Sequence, residues 1–346
     1  MSEITQEQAG AVGPPAGAPP SGAWRGIRAG ARFLARQREA TIFVVAVALF
    51  LYFAVTNSSF TTQSNLVVLS QDIAPIIIIA IGEVLLLISG EIDLSVGFIY
   101  AFAPFLMSYM ISYGVPVLPA ILIGLLFGLV AGWFNGFLVV TLGLPSFIAT
   151  LGTGFLLDGI MLITSHAEPV IPPASAAGAG KWLGSYSWSM IVWAVILLAI
   201  FHVVLTRTRW GLHTVAAGGN LLGAREAGIN VARIKYGNFM ITGLLGALVG
   251  LQISFQTNDI DPLAGGYQPM FYAVTAAVIG GTAMLGGSGT MIGALLGAIV
   301  LGLLTDGFGV IGISANALPA IFGGAIIVAM IANVQLSRLR ESGRMR

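Results

Sequence analysis

Ser89-Gly90-Glu91-Ile92-Asp93-Leu94-Ser95-Val96-Gly97 interrupts an otherwise apolar run. Before it, residues 66–89 are mostly Ile, Leu, Val and Ala; after it, residues 95–113 are mostly apolar and aromatic. A helix that crosses a bilayer needs about 20 such residues. Each flank is close to that length. Lipid offers no hydrogen-bond partner, so backbone groups freed between them must be met by protein or by a water-lined cavity. Two carboxylates and two glycines at such a place read as a broken helix in an all-α, polytopic membrane protein.

The rest of the chain repeats the pattern. Of its 346 residues, 57% are hydrophobic and 8% charged, and the mean hydropathy is +0.93. A soluble domain is about a quarter charged. Candidate spans fall at 41–56, 66–89, 95–113, 117–141, 146–164, 189–206, 236–256, 271–285, 289–307 and 315–333, about ten transmembrane helices. The basic residues check that count. All but Lys181 lie in three clusters: Arg25 to Arg38, Arg207 to Lys235, and Arg338 to Arg346. Lys and Arg in short flanking loops stay on the cytoplasmic side. Six spans separate the first two clusters and four separate the last two, so all three fall inside.

Residues 1–40 then form a cytoplasmic tail. Its Ala, Gly and Pro content over 9–23 leaves too little apolar surface to order it, so it reads as disordered. Residues 41–335 form the transmembrane domain, and 336–346 a cytoplasmic C-terminal tail. The longest inside connection is 207–235; the longest outside one is 165–188. Segregated charge argues against a nucleic-acid partner and sets the basic groups beside membrane lipid headgroups. The chain has no cysteine, which excludes disulfides and thiolate sites.

A second polar interruption is Gly280-Gly281-Thr282-Ala283-Met284-Leu285-Gly286-Gly287-Ser288-Gly289. Paired broken helices in two halves of a chain mark substrate paths. Glycines at 124, 128, 132 and 136, and at 289, 293 and 297, share one helix face and suit close helix packing.

Ionisable groups inside spans are costly and face a cavity or a partner. The set is Glu83, Glu91, Asp93, Asp158 and Asp306, and no span carries a Lys or Arg to pair with them. Asp93, followed by Ser95, suits a helix cap as well as substrate contact. Glu83 and Glu91 are eight residues apart, close to one helix face, where a hydrated path and a proton relay are both open readings. Asn135, Ser146, Thr150 and Thr153 are polar positions in or beside spans. Trp133, Phe134 and Phe147 suit either packing or stacking on a sugar. The inside stretch Asn220 to Asn230 is charged and favours a short helix at Ala224, Arg225, Glu226 and Ala227. No phosphate-binding loop is present, His166, His202 and His213 have no metal-ligand spacing, and no nucleophile with its base is apparent.

Several blocks together carry a family resemblance. Gly90-Glu91-Ile92-Asp93-Leu94-Ser95-Val96-Gly97 resembles the Gly-Gly-Ile-Asp-Leu-Ser-Val-Gly signature of permease subunits of bacterial ribose/xylose-type ABC importers. Asn135-Gly136 with Leu144 to Gly152, Ala217-Gly218-Gly219-Asn220 with Ala227-Gly228-Ile229-Asn230, and Ile279 to Thr282 with Gly286 to Thr290 resemble its later blocks in order and spacing. Glu91 stands where that signature has its second glycine, a variant associated with xylose-like members.

The resemblance implies the fold of the larger ABC-importer permeases and a homodimer in the bacterial cytoplasmic membrane, with both termini inside. ATPase subunits binding ATP and Mg would dock on the cytoplasmic face, and a sugar-binding protein on the outer face. The chain itself would hold no cofactor and be no enzyme. Glu83, Glu91, Asp93, Ser95, Asn135, Phe147 and Thr150 are the expected translocation-path residues. Gly219, Asn220, Ala224, Arg225, Glu226, Ala227 and Gly228 are the expected ATPase-coupling residues.

The rival readings are a permease of the same superfamily for branched-chain amino acids or nucleosides, an ion-coupled secondary transporter, and a membrane scaffold. Intramembrane carboxylates are costly in a scaffold. The orientation is testable: a cysteine at Ser175 is expected to react with an impermeant reagent added outside, and one at Ala224 is not. The reverse labelling pattern rejects the topology.

Overall fold

The structure is a computed structural model that describes residues 38–324 together with Ile327 and Ile331. The expected tails therefore lie largely outside the described residues, as do most of the first basic cluster, all of the third, and part of the span expected at 315–333. The main helices are α1 (Arg38–Thr56), α2 (Gln63–Ile88), α3 (Val96–Ser112), α4 (Val117–Gly136), α5 (Ser146–Ser165), α6 (Ser189–Arg207), α7 (Arg209–Gly219), α8 (Leu221–Glu226), α9 (Val231–Thr257), α10 (Tyr267–Ile279) and α11 (Met291–Val310). Among the described residues the extended backbone makes one pairing, an antiparallel bridge between Val170 and Ile260.

Local chemistry sets the helix starts. Thr62, Thr208, Asn220, Asn230 and Thr290 each accept a backbone N–H of the first turn, as oxygen-bearing N-caps do. Asn230 starts α9 five residues before the expected span at 236, which brings Lys235 into the helix.

Seven helices among the described residues are long and apolar enough to cross a membrane. The sequence reading of about ten exceeds that number. Helix α3 has 17 residues, and α10 has 13 because it stops at Ile279, short of the expected end at 285. The protein is an all-α polytopic membrane protein.

Burial separates central from peripheral helices. In its most apolar stretch α2 is 83% buried and α9 72%, against 11% for α1 and 17% for α6. Helices α2 and α9 form the centre, and α1 and α6 face outward. Side-chain ties identify the two ends of the bundle. Thr290 donates to Glu39 (2.6 Å), and Thr141 and Tyr236 share a hydrogen bond (2.6 Å), at the end that carries Arg207 to Lys235. Asn57 donates to the Val310 carbonyl (3.0 Å) and Asn65 to Asp306 (2.7 Å) at the opposite end. Asp72 also lies in α2 and beside Asp306, an intramembrane carboxylate missing from the set drawn from the sequence.

The small-residue stripes serve packing. A Cβ on Gly128 would collide with the Gly243 carbonyl, one on Gly243 with the Gly128 carbonyl, and one on Gly132 with the Phe239 carbonyl. Backbones of α4 and α9 therefore touch. The Gly293 and Gly297 stripe meets Gly280 and Ala276 of α10 in the same way.

Gly243→Leu is expected to lower stability by about 1–3 kcal/mol or more through overpacking, read as a lower thermal midpoint in detergent. Gly159→Leu, with no neighbouring atom within 4 Å of its Cβ position, serves as the neutral control. Ala224 is buried, so Glu226, which is exposed, is the better inside reporter for the labelling test.

Candidate functional site

Helix α2 stops at Ile88, and the chain doubles back into the bundle before α3 begins at Val96. Gly90 makes the turn at φ +79, a conformation that costs glycine little and a side chain much. By Val96 the chain has returned to mid-depth: a Cβ on Gly246, midway along α9, would collide with Val96.

The backbone groups freed by this re-entry are met by neighbouring helices. The Leu94 N–H donates to Thr150 Oγ1 (3.0 Å) and the Ile92 N–H to Ser146 Oγ (3.4 Å), both on α5. Asp93 Oδ1 accepts from the Ser95 N–H (2.8 Å) and the Ser95 hydroxyl (2.6 Å). Asn135 of α4 donates to both Asp93 oxygens (3.2 and 3.1 Å) and to Ser95 Oγ (2.7 Å). Asp93, Ser95, Asn135 and Thr150 are all fully buried. Asp93 holds the chain at the start of α3 through a local turn. Glu83, also fully buried, lies against the Asp93 backbone N–H. Neither of its oxygens makes a hydrogen bond of good geometry.

Glu91 departs from the expectation. It was read as lacking a cation, yet Lys235 Nζ forms an ion pair with Glu91 Oε1. The sequence reading set Lys235 in a loop, and the earlier start of α9 is what carries it to Glu91. One turn along α9, Asn238 donates to the Leu85 carbonyl (3.1 Å) and to Ser89 Oγ (3.3 Å), and accepts from the Trp210 ring N–H (2.9 Å). Phe147 does not join this cluster. It is 58% exposed on α5.

The second half contributes a re-entrant segment that the sequence reading assigned to an outside loop. After α9 the chain passes Ile260 and enters the bundle, where the Gly266 N–H donates to the Gly97 carbonyl (3.0 Å). The N-termini of α3 and α10 therefore meet at mid-depth. Around that junction Tyr267 sits 5.6 Å from Phe98, 6.0 Å from Phe155 and 6.2 Å from Phe271, ring centre to ring centre. Phe155, Tyr267, Gln268 and Phe271 are exposed, an aromatic surface with polar groups at the depth of the hydrocarbon core. The Gly265-Gly266 pair just before the apolar, aromatic run that starts at Tyr267 was the available signal for it. The polar interruption at 280–290 is also present, and its Gly287 N–H donates to the Ile88 carbonyl (2.8 Å).

At the basic end, α8 is a single short helix capped by Asn220 and closed by Gly228, whose N–H donates to the Arg225 carbonyl (3.0 Å). Gly219, Asn220, Leu221, Leu222, Arg225, Glu226, Ala227 and Gly228 are exposed. Ala224 is the exception among the expected coupling residues. It is buried against Ala217 and Val231 of its own chain, which turns Leu221 and Leu222 outward instead.

Residues 65–331 match the family model described as branched-chain amino acid transport system / permease component. The chain belongs to that family. It is 34% identical over 313 residues to the xylose/arabinose import permease protein XylH of Sulfolobus acidocaldarius, covering 88% of this chain and 86% of that protein. It is 32% identical over 281 residues to the ribose import permease protein RbsC of Bacillus subtilis, covering 80% and 87%. The autoinducer 2 import system permease protein LsrC of Salmonella typhimurium is 34% identical over 274 residues, 78% of each chain.

Asp93→Ala leaves the Ser95 N–H and hydroxyl without their acceptor and Asn135 with Ser95 Oγ alone, and a loss of about 1–3 kcal/mol is expected. Asp93→Asn keeps an acceptor for Ser95 and is expected to lose less. Thermal unfolding in detergent reads both; equal losses would show that charge, and not the cap, is what the site requires.

Proposed function

We propose that this chain is the membrane-spanning permease subunit of an ATP-binding cassette importer for a xylose- or ribose-like monosaccharide. The observation that carries this reading is the family membership together with relatives named for xylose/arabinose, ribose and autoinducer 2 import. The aromatic surface at the meeting of α3 and α10 supports a sugar. Aromatic faces suit the apolar faces of a pyranose or furanose, and Tyr267 and Gln268 offer hydroxyl partners. An amino-acid substrate would call for a cation near its carboxylate. Around the re-entrant segment, among the described residues, Lys235 is engaged with Glu91.

In this reading the importer works as a homodimer in the bacterial cytoplasmic membrane. Both termini lie in the cytoplasm, and an extracytoplasmic binding protein delivers the sugar. The seven long helices and the shorter α3 and α10 are nine membrane-embedded helices among the described residues, and the apolar stretch 315–333 is the expected tenth span. Glu83, Asp93, Ser95, Asn135 and Thr150 shape the translocation path from behind, and the exposed aromatic residues face it. ATP and Mg are bound by separate ATPase subunits.

Helix α8 docks those subunits. Leu222 is 68% exposed and Leu221 42% exposed at the basic end of the bundle, beside Arg225 and Glu226. An apolar pair ringed by charge is the form of an interface core with its polar rim.

Reconstituted with its ATPase and binding protein, the chain is expected to show ATP hydrolysis stimulated by D-xylose or D-ribose. Leu222→Asp, which buries a charge in the interface, is expected to cost at least about 2 kcal/mol of ATPase affinity, measured by co-purification. Stimulation by branched-chain amino acids and not by sugars would replace the substrate assignment. Uptake driven by an ion gradient without the ATPase would reject the ABC assignment.

A further inference from the structure

The ion pair between Lys235 and Glu91 has no place in substrate handling as described above. Glu91 stands where the resembled signature has glycine, and a glycine there could make no such pair. It is screened from solvent, with 17% of the Lys235 side chain and 11% of the Glu91 side chain exposed. Its position is what matters. Lys235 follows α8 by nine residues and sits in the first turns of α9, while Glu91 opens the re-entrant segment that leads to Asp93.

Two more contacts run between the same two regions, and a third ties the first helix interruption to the second. Asn238 joins Trp210 of α7 to Leu85 and Ser89. A Cβ on Gly218, at the end of α7 just before α8, would collide with the Ile88 carbonyl and come within 2.9 Å of the Gly287 nitrogen. Gly287 in turn donates to the same Ile88 carbonyl (2.8 Å). The end of α7 just before α8 thus presses backbone against backbone on both helix interruptions at once. Lys235 and Glu91 are the one ionic member of that joint among the described residues.

We propose that the Lys235–Glu91 pair is a strut that transmits displacement of α8 to the re-entrant segment 89–95, and that Lys235 and Glu91 are positioning residues for transport rather than substrate contacts. The inference rests on the importer reading, because it needs a partner that moves α8. A glycine joint lets backbones approach closely but can slide. A desolvated ion pair resists sliding, because separating it strands a charge in a poorly hydrated site. When α8 shifts, Glu91 follows Lys235, and the chain between Gly90 and Ser95 carries the motion to mid-depth.

The test uses the full complex in proteoliposomes, with binding protein and D-xylose or D-ribose as the probe. Assembly is read as co-purified ATPase, and coupling as stimulated over basal ATP hydrolysis. The double variant E91Q/K235M removes both charges at similar volume, so assembly is expected to survive where a single variant such as K235M fails to fold. Coupling in the double variant is expected to fall about tenfold, the scale of interaction between contacting residues. The exchange E91K/K235E restores an ion pair in reverse and is expected to recover most of that coupling. A merely structural role would lower assembly and coupling together. Wild-type coupling in E91Q/K235M, or no recovery in E91K/K235E, overturns the strut. A wild-type complex whose hydrolysis responds neither to sugars nor to branched-chain amino acids overturns the importer reading, and the strut with it.

Discussion

The polar side chains that close around residues 89–95 answer to one constraint. A helix that breaks where water is absent exposes N–H and C=O groups that only protein can satisfy. Residues 89–95 are such a break. Thr150 and Ser146 accept two of the freed N–H groups, Asp93 accepts a third, and Asn135 completes the acid's own hydrogen bonds. These residues come from α4 and α5 as well as from the break itself. The arrangement of the helices around α2 follows from the need to bring those donors and acceptors to one place.

The same constraint explains the glycines. Close approach of α4 to α9 at Gly128 and Gly243 lets Asn135, about two turns further along α4, reach into the re-entrant segment. Larger residues would separate the helices and draw Asn135 away from Asp93. Packing and polar satisfaction are therefore not separate achievements of the sequence. The small residues set the distance at which the hydrogen bonds form.

The break at 89–97 was legible because a change of chemistry within an apolar run is visible locally. So were the stripes, whose four-residue period is local too. The pairing of Lys235 with Glu91 was not, since 144 positions separate them and Lys235 read as loop charge until Asn230 was recognised as the cap of α9. The re-entrant entry at Gly265-Gly266 was hidden for another reason. Its short, mixed composition is that of a surface loop, and only the contact with Gly97 shows its depth. Ala224 illustrates a third limit. Propensity placed a helix there but could not say which face of that short helix turns inward. Glu83 stands apart: an intramembrane carboxylate is expected to face a cavity or a partner, whereas this one is fully buried, and its unpaired oxygens are a feature for which packing offers no account.

The contrast in burial between the central and peripheral helices has a consequence for how the protein meets its membrane. Helices α1 and α6 expose most of their apolar surface, whereas α2 and α9 expose little. A change in hydrocarbon thickness is accommodated by tilt of whichever helices touch the acyl chains. On these faces the rim helices take up that mismatch, and the chain reversal after α2 is shielded from it by a layer of protein. Lipid composition then tunes the rim while leaving the geometry of the interior nearly constant.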